Sequence, residues 1–378
     1  MKPTRLDGQM HPPALVLFLF LLTTLLLPTP SFGGYNSWQE GAYLSNFDGK
    51  IADSYGEADH TPFLDPCKNS LPISNSDPVV LTAETTEITS TEVKQQCSST
   101  QACVVPPGKT LIMTESLDVG SLTVEGHLQW TDDTQSSDQA YLCAGFVVTE
   151  GVGSDYYMTL HEKQAYIFIK NNGARHSQLA TRVFAGNNGG RVEIVGRHME
   201  RTWSILDKPL AVGDSKVELL HDPLLMKWRV GDRIGVAPTE GASGGKGQVF
   251  KITEIVNGTI TLDSASTKKH EANFFSTKNP GQIPVTQSAE VVNLSRNIII
   301  TGDDFEHVPC DPSQTSKAKF CTCTGERTTC TVGLHTVQAH SGVMRVSNTR
   351  VEKCGQRGIL GKYWYAKSSC TIQNFFFS

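Results

Sequence analysis

The most constraining feature of this sequence is a repeated alternation of apolar and polar residues between positions 119 and 263, interrupted by glycine or Asn-Gly corners. It is clearest in SLTVEGHLQW (121–130), GGRVEIVG (189–196) and NGTITLD (257–263). A period of two places alternate side chains on opposite faces of a strand, one toward a core and one toward water. Many short strands with glycine corners, and almost no helical pattern, predict an all-β fold.

Two all-β architectures fit the pattern. Toward the C-terminus the strands recur about ten residues apart, with apolar Val343, Val346 and Val351 and a corner near Asn348. This spacing is typical of the coils of a parallel β-helix. Ile298–Ile300 form a continuous apolar run, which predicts a strand buried on both faces. Because the repeat is degenerate, a tandem of β-sandwiches is the alternative; both present long faces suited to extended polymers such as polysaccharides.

The N-terminus has the pattern of a secretory signal. Lys2 and Arg5 precede an apolar run from Ala14 to Leu27, and Ser31 and Gly33 are small residues suited to cleavage. At ~1.5 Å per residue the run is too short for the ~30 Å core of a bilayer.

We therefore interpret residues 1–33 as a signal peptide and 34–78 as an extended entry segment. The expected location is extracellular, with cell-surface attachment as the alternative if the signal is not cleaved. No later segment is apolar and long enough to span a membrane.

Composition limits the partners and cofactors. The 378 residues carry a net charge of −5 and no dense Lys/Arg run, so the sequence predicts no nucleic-acid partner. It contains no phosphate-binding loop, dinucleotide fingerprint, serine elbow or zincin motif, so we expect no cofactor.

The ten cysteines predict disulfides, since the signal directs the chain to an oxidising compartment. Zinc is the alternative for the CxC at 321–323 with its neighbours, but no histidine pair lies nearby at finger spacing, and we predict no metal. Asn257 and Asn293 begin two sequons and are expected to carry glycans where they are exposed. The cysteines are Cys67, Cys97, Cys103, Cys143, Cys310, Cys321, Cys323, Cys330, Cys354 and Cys370.

Catalytic candidates are weak. A common glycoside hydrolase needs two carboxylates facing one bond, and Asp303 and Asp304 are weak candidates for them. Adjacent strand residues face opposite ways, and a solvated turn is the preferred explanation of these two carboxylates. Asp232 in VGDRI is interpreted as a turn residue that bonds its own backbone rather than as a catalyst. His335 and His340 lie five positions apart, an odd offset that sends them to opposite faces of a strand and argues against a shared metal.

Five short motifs, in order, resemble the eight-glycine (G8) domain proteins, in particular the cell-migration-inducing and transmembrane hyaluronidases and the fibrocystin-like proteins. They are SLTVEGHLQW, NNGGRVEIVGRHMERTWSIL, WRVGDRIGVAPTE, NLSRNIIITGDD and VEKCGQRGILGKY, and together they cover roughly residues 80–365. The matching positions, which we expect to be structural, are Gly126, Gly189, Gly190, Gly196, Trp203, Trp228, Gly231, Asp232, Gly355, Gln356 and Gly361.

The resemblance implies a G8 domain at 79–180, a β-rich continuation at 181–265 and the start of a right-handed parallel β-helix at 266–378. It implies an extracellular polysaccharide partner, hyaluronan being the family's best-known substrate class. The family continues with a His-x-His pair after the last motif, whereas this chain reads YWYAKSSCTIQNFFFS. We therefore expect glycan binding by a chain that lacks part of the catalytic region and is inactive as a hyaluronidase. Two alternatives stay open: a non-catalytic adhesion module of fibrocystin-like type, and an active hyaluronidase-like glycosidase that depolymerises polysaccharide.

Aromatic and basic residues suggest where a glycan binds. Trp130, Trp203 and Trp228 offer flat faces for sugar rings, although a core position is the commoner role of such tryptophans. The preferred candidates combine consecutive aromatics, at least one of which must face outward, with local positive charge suited to an anionic glycan. These are Tyr363, Trp364, Tyr365, Arg357 and Lys362.

Overall fold

Three parallel β-sheets dominate the structure. The computed structural model describes residues 64–68, 71–239, 247–276, 285–303, 306–309 and 329–355. All of these lie within one compact unit, Ile51–Ser378. Within them the chain is mostly β-strand, as the alternating pattern predicted.

The parallel sheets have five or six strands each. From one edge to the other, sheet A contains β1 (Val79–Val80), β3 (Ala102–Val105), β6 (Ser121–Val124), β9 (Val147–Glu150), β14 (Val183–Asn187) and β27 (His335–Ala339). Sheet B contains β2 (Glu87–Thr89), β4 (Thr110–Ile112), β7 (His127–Thr131), β10 (Asp155–Thr159), β15 (Arg191–Val195) and β28 (Val343–Ser347). Sheet C contains β29 (Thr349–Val351), β24 (Ile298–Gly302), β11 (Gln164–Ile169), β8 (Gln139–Ala144) and β5 (Leu117–Asp118).

The chain visits these sheets in a fixed order. From β3 onward it passes from sheet A to sheet B to sheet C, and it makes this circuit five times before β29 ends. Each strand pairs in parallel with the strand of the previous circuit. A sandwich is built from antiparallel strands, so this pairing does not fit the alternative of tandem sandwiches.

The inward faces of all three sheets meet in one core. Leu122 of β6, Leu128 of β7 and Leu142 of β8 belong to the same buried cluster and have no exposed surface or almost none. Alternation is clean along β7, β10 and β15, where every second residue is buried. The predicted burial of Ile298–Ile300 on both faces is confirmed: Ile298 and Ile300 enter this core, and Ile299 enters a second cluster outside sheet C.

A fourth sheet is antiparallel and lies within the fourth circuit, between β15 and β24. Its core is a separate buried cluster that includes Trp228, Ile234 and Phe250. In spatial order its strands are β16 (Trp203–Ile205), β23 (Glu290–Asn293), β18 (Arg233–Val236), β19 (Gln248–Val256), β20 (Thr259–Leu262) and β17 (Lys216–Glu218). We call it the inserted sheet.

Three two-stranded hairpins complete the described strands. They are β12 (Arg175–His176) with β13 (Ala180–Thr181), β21 (Phe274–Ser276) with β22 (Val285–Gln287), and β25 (Glu306–Pro309) with β26 (Thr329–Val332).

A short helix, α1 (Ser90–Gln96), follows β2 and was not predicted. Thr89 caps it: the Thr89 hydroxyl accepts from the Glu92 backbone N–H, and the Glu92 carboxylate accepts from the Thr89 backbone N–H. This reciprocal arrangement is a capping box. A single 3₁₀ turn spans Asp65–Cys67.

Two disulfides are defined by the described residues, as the cysteine content predicted. Cys67 bonds Cys143 with a Cα–Cα distance of 5.8 Å, and Cys97 bonds Cys103 at 6.2 Å. Cys354 is disulfide-bonded as well. The bond from Cys67 ties the entry segment to β8 of sheet C.

Glycines at the corners allow close approach between circuits. A Cβ atom at Gly190 would collide with the backbone of Thr149, and one at Gly126 would collide with the carbonyls of Pro106 and Lys109. Close backbone contacts therefore require glycine at both of these motif positions.

Candidate functional site

Many of the predicted glycan-binding and catalytic residues lie outside the described residues. These are Tyr363, Trp364, Tyr365, Arg357, Lys362 and Asp304. The motif positions Gln356 and Gly361, which we expected to be structural, and the predicted signal peptide at 1–33 also lie outside them.

Asp303 lies at the turn after β24, and its groups are used in structural hydrogen bonds. Its carboxylate accepts from the Asn171 backbone N–H at 2.6 Å, and its carbonyl accepts from Arg182 Nη2 at 2.6 Å. The bond from Asn171 joins the turns that follow β11 and β24 in neighbouring circuits, and the bond from Arg182 joins the second of these turns to the start of β14. The structure thus gives Asp303 a turn-stabilising position.

The histidine pair is divided between environments, in agreement with the offset argument. His335 is 2% exposed, whereas His340 is exposed and its Nδ1 lies 2.9 Å from Asn187 Oδ1. Among the described residues, no group of three or more His, Cys, Asp or Glu side chains could hold a metal ion.

The three tryptophans separate clearly by exposure. Trp130 and Trp228 are buried, and each indole N–H has a partner: Gln135 Oε1 for Trp130 and the Arg201 carbonyl for Trp228, both at 2.8 Å. Trp203, on edge strand β16, is 46% exposed, and the Arg201 guanidinium lies over its ring at 5.3 Å. Only Trp203 of these three is accessible to a ligand.

Asp232 is the centre of a buried polar network. Arg197 Nη2 donates to both carboxylate oxygens at 2.8 and 2.9 Å, and Asn293 Nδ2 donates to Oδ2 at 2.8 Å. The Arg229 backbone N–H donates to the same oxygen at 3.0 Å, which is the local turn bond that the sequence predicted. The network therefore joins the parallel sheets, through Arg197, to the inserted sheet.

Arg296 lies next to this network and carries an electrostatic penalty. Its Nη1 donates to the Asn293 carbonyl at 3.2 Å. Burial, and then the positive charge of Arg197, lower the pKa of Arg296 to about 10, and the Asp232 charge opposes that change. The negative charge of Asp232 thus stabilises the positive charges of Arg197 and Arg296 at the junction between the sheets.

The two sequons differ in accessibility. Asn257 occupies the tip of the β19–β20 hairpin, is exposed and has φ +50, whereas Asn293 is 0% exposed within the Asp232 network. We expect glycopeptide mass mapping of the protein, expressed through a eukaryotic secretory pathway, to find a glycan on Asn257 and none on Asn293, since the buried amide leaves no room for a sugar. A glycan on Asn293, or an unmodified Asn257, would contradict this expectation.

The outward face of sheet B forms an ordered array of accessible polar groups. Parallel register aligns His127, Asp155 and Arg191 in one row across β7, β10 and β15. A second row, two residues further along each strand, aligns Gln129, Tyr157, Glu193 and Arg345 across β7 to β28. Strands are ~4.8 Å apart and the rows ~6.6 Å apart. We call this array the sheet B face.

Tyr157 is the aromatic residue of the array and is 39% exposed. Its neighbours along the row are Gln129, which is exposed, and Glu193, which is half-buried. An aromatic ring beside amide, carboxylate and guanidinium groups can stack on a sugar ring while its neighbours bond the hydroxyls.

The charges of the sheet B face interact with one another. Burial raises the pKa of the Asp155 carboxyl, while the positive charges of Arg191 and His127 lower it and the Glu193 charge raises it further. The row of His127, Asp155 and Arg191 therefore alternates in charge. The sheet B face could not be predicted from the sequence, because the register between strands about thirty residues apart decides which side chains become neighbours.

Comparison with known proteins finds no protein-family model that matches the chain and no curated relative. Among the described residues, no helix has the length and apolar character needed to cross a bilayer.

Proposed function

We propose that the chain is an extracellular polysaccharide-binding protein of the G8 type and that its sheets A, B and C are coils of a right-handed parallel β-helix. Two features support this proposal: the repeated circuit through three parallel sheets, and the disulfides, which favour an oxidising compartment. The motif resemblance adds hyaluronan-like polymers as the substrate class.

The sheet B face is the proposed binding surface, and the observation that carries this choice is the alignment of Tyr157 with polar groups on both sides. A polymer laid across the strands would stack one sugar ring on Tyr157, and the Gln129 amide and Glu193 carboxylate on either side would bond the hydroxyls of that sugar and its neighbours. Trp203 has a different setting, because the Arg201 guanidinium lies over its ring at 5.3 Å and occupies a face on which a sugar would stack.

Binding to immobilised hyaluronan and to an uncharged polysaccharide tests the proposal. We expect Tyr157→Ala to weaken binding at least about fivefold, because truncation of a central interface aromatic costs more than ~1 kcal/mol. Trp203→Ala is the matched control, since it removes another exposed aromatic from a different sheet, and it should bind as the unmodified protein does.

Three outcomes would contradict the proposal. Unchanged binding by Tyr157→Ala together with loss in a Tyr363→Ala/Trp364→Ala/Tyr365→Ala variant would move the site to the residues that the sequence favoured. Absence of binding to any polysaccharide would favour an adhesion module. Shortening of size-defined hyaluronan during incubation would show catalysis, which the binding proposal does not include.

A further inference from the structure

One buried arginine at the junction between the parallel sheets and the inserted sheet has no carboxylate partner. Arg296 is 6% exposed and lies between β23 and β24. Its Nη1 donates to the carbonyls of Asn293 and Ser295, at 3.2 and 2.5 Å, and no carboxylate of the described residues forms an ion pair with it. Buried charges in proteins are normally paired, because the desolvation of an unpaired ion is costly. A counter-ion at Arg296 would therefore stabilise the fold.

The charges around Arg296 do not balance. Arg197 Nη2 donates to both carboxylate oxygens of Asp232 at 2.8 and 2.9 Å, so these two residues neutralise each other. Arg350, whose positive charge also acts on Arg296, forms an ion pair with Glu352. Two neutral pairs thus accompany a third guanidinium group, and one monovalent anion would balance the set.

A further carboxylate lies nearby but has its own partner. The charges of Glu162 and Arg197 are close enough to interact. The Glu162 carboxylate, however, accepts from Arg229 Nη1 and Nη2 at 2.6 and 2.9 Å, and its side chain is 69% exposed. An exposed carboxylate that already binds an arginine through both oxygens contributes little to a buried charge elsewhere. Glu162 therefore does not compensate Arg296.

Two buried N–H groups at the same junction have no acceptor. They are the Nε–H groups of Arg197 and Arg296, and neither nitrogen has a hydrogen-bond partner within the part of the chain that the structure describes. Asn293 links the two arginines, because its Nδ2 donates to Asp232 Oδ2 at 2.8 Å and its carbonyl accepts from Arg296. A buried donor without an acceptor lowers stability, and a bound ion is one explanation for such a group.

Burial limits the size of the anion that this junction admits. Asn293 and Asp232 are 0% and 4% exposed, and the Arg197 side chain is 12% exposed. A sugar acid or a phosphate ester carries a carbon skeleton and needs an open cleft. A halide ion is compact and accepts charge-assisted hydrogen bonds from guanidinium groups in any direction. The burial therefore favours a halide over an organic anion.

We propose that the junction binds one chloride ion between the guanidinium groups of Arg197 and Arg296. The ion accepts from both Nε–H groups and balances the local charge. Burial and the positive charge of Arg197 lower the pKa of Arg296 to about 10, and a bound anion opposes that change. Arg197 follows β15 and Arg296 precedes β24, so the ion joins the two ends of the segment that forms the inserted sheet.

Urea unfolding at constant ionic strength tests this inference, with chloride exchanged for gluconate, an anion too large for the site. Constant ionic strength keeps the screening of surface charges the same. Chloride that binds only the folded state stabilises it by mass action. With a dissociation constant of ~10 mM, about 100 mM chloride should raise the folding equilibrium constant about tenfold. Bromide should replace chloride and give an anomalous X-ray peak between the two arginines.

Arg296→Met separates ion binding from a general salt effect. This variant removes both the donor and the uncompensated charge, so its stability should be the same in chloride and in gluconate. Arg175→Met is the matched control, because Arg175 is an exposed arginine of β12 and its loss should leave the chloride response unchanged.

Two results would overturn the inference. One is equal stability of the unmodified protein in chloride and gluconate; the other is a chloride response that Arg296→Met retains. If Arg296→Met does not fold, crystals of the unmodified protein soaked in bromide decide the question, and a map without an anomalous peak at the junction contradicts the site. Tyr157→Ala should keep the chloride response, so this inference and the polysaccharide proposal can fail independently.

Discussion

Replacing Asp232 with alanine is expected to destabilise the fold by about 3–5 kcal/mol, because it leaves a buried arginine without its counter-charge. Asp232 is 4% exposed and accepts three side-chain hydrogen bonds, two from Arg197 and one from Asn293. Arg296 loses the attractive charge of Asp232 at the same time, while the repulsion from Arg197 and Arg350 remains. Urea unfolding followed by tryptophan fluorescence measures the effect, and Trp228 reports on the inserted sheet that Asp232 supports.

Asp133→Ala is the matched control for that measurement. Asp133 is exposed, so its loss should change the free energy of unfolding by less than ~0.5 kcal/mol. Asp232→Asn should lie between the two, since the amide oxygen still accepts one hydrogen bond but carries no charge. If Asp232→Ala unfolded at the same urea concentration as Asp133→Ala, the network would contribute nothing to the junction between the sheets.

The sequence correctly predicted the elements that depend only on residues close together in the chain. The alternation through β6, β7 and β15, the corners at Gly126 and Gly190, and the doubly buried Ile298–Ile300 follow from side-chain periodicity and from the size of glycine. Helix α1 was missed although a signal was present: Thr89 and Glu92 have the spacing of a capping box. Its seven residues are too few to show a helical period.

Contacts between distant residues could not be predicted from one sequence. Asp232 was interpreted as a turn residue, and its hydrogen bond with the Arg229 N–H agrees with that interpretation. Its bond with Arg197 could not be foreseen, because Arg197 lies thirty-five positions away and reaches Asp232 only through the packing of two sheets. The sheet B face depends likewise on register, because a shift of one residue in β10 would turn Tyr157 into the core. The exposure of Trp203 and the burial of Trp228 likewise depend on how the strands of the inserted sheet pack together, which one sequence does not reveal.

The second large effect is expected at the buried ion pair between Lys170, which follows β11 in the third circuit, and Asp118, which belongs to β5 in the first circuit. Lys170 Nζ lies 2.6 Å from Asp118 Oδ1 and donates to the Ser99 carbonyl at 3.0 Å. The Lys170 side chain is 0% exposed, whereas that of Asp118 is 28% exposed. Asp118→Leu therefore strands a fully buried ammonium group and should cost about 3–5 kcal/mol, while Lys170→Met leaves a carboxylate that still reaches water and should cost less.

The double variant and the pH dependence separate this explanation from a simple loss of packing. Asp118→Leu/Lys170→Met should recover most of the stability lost in Asp118→Leu, because neither buried charge remains.

Burial raises the pKa of the Asp118 carboxyl, and the hydrogen bond and charge of Lys170 offset part of that rise. In Lys170→Met the offset is gone, so the fold favours the protonated acid, and stability should fall as pH rises through the folded pKa of Asp118. Lys216→Met, at an exposed lysine of the inserted sheet, should show neither effect. Equal costs for the two single variants, or a double variant as unstable as Asp118→Leu, would mean that packing rather than charge decides stability at this position.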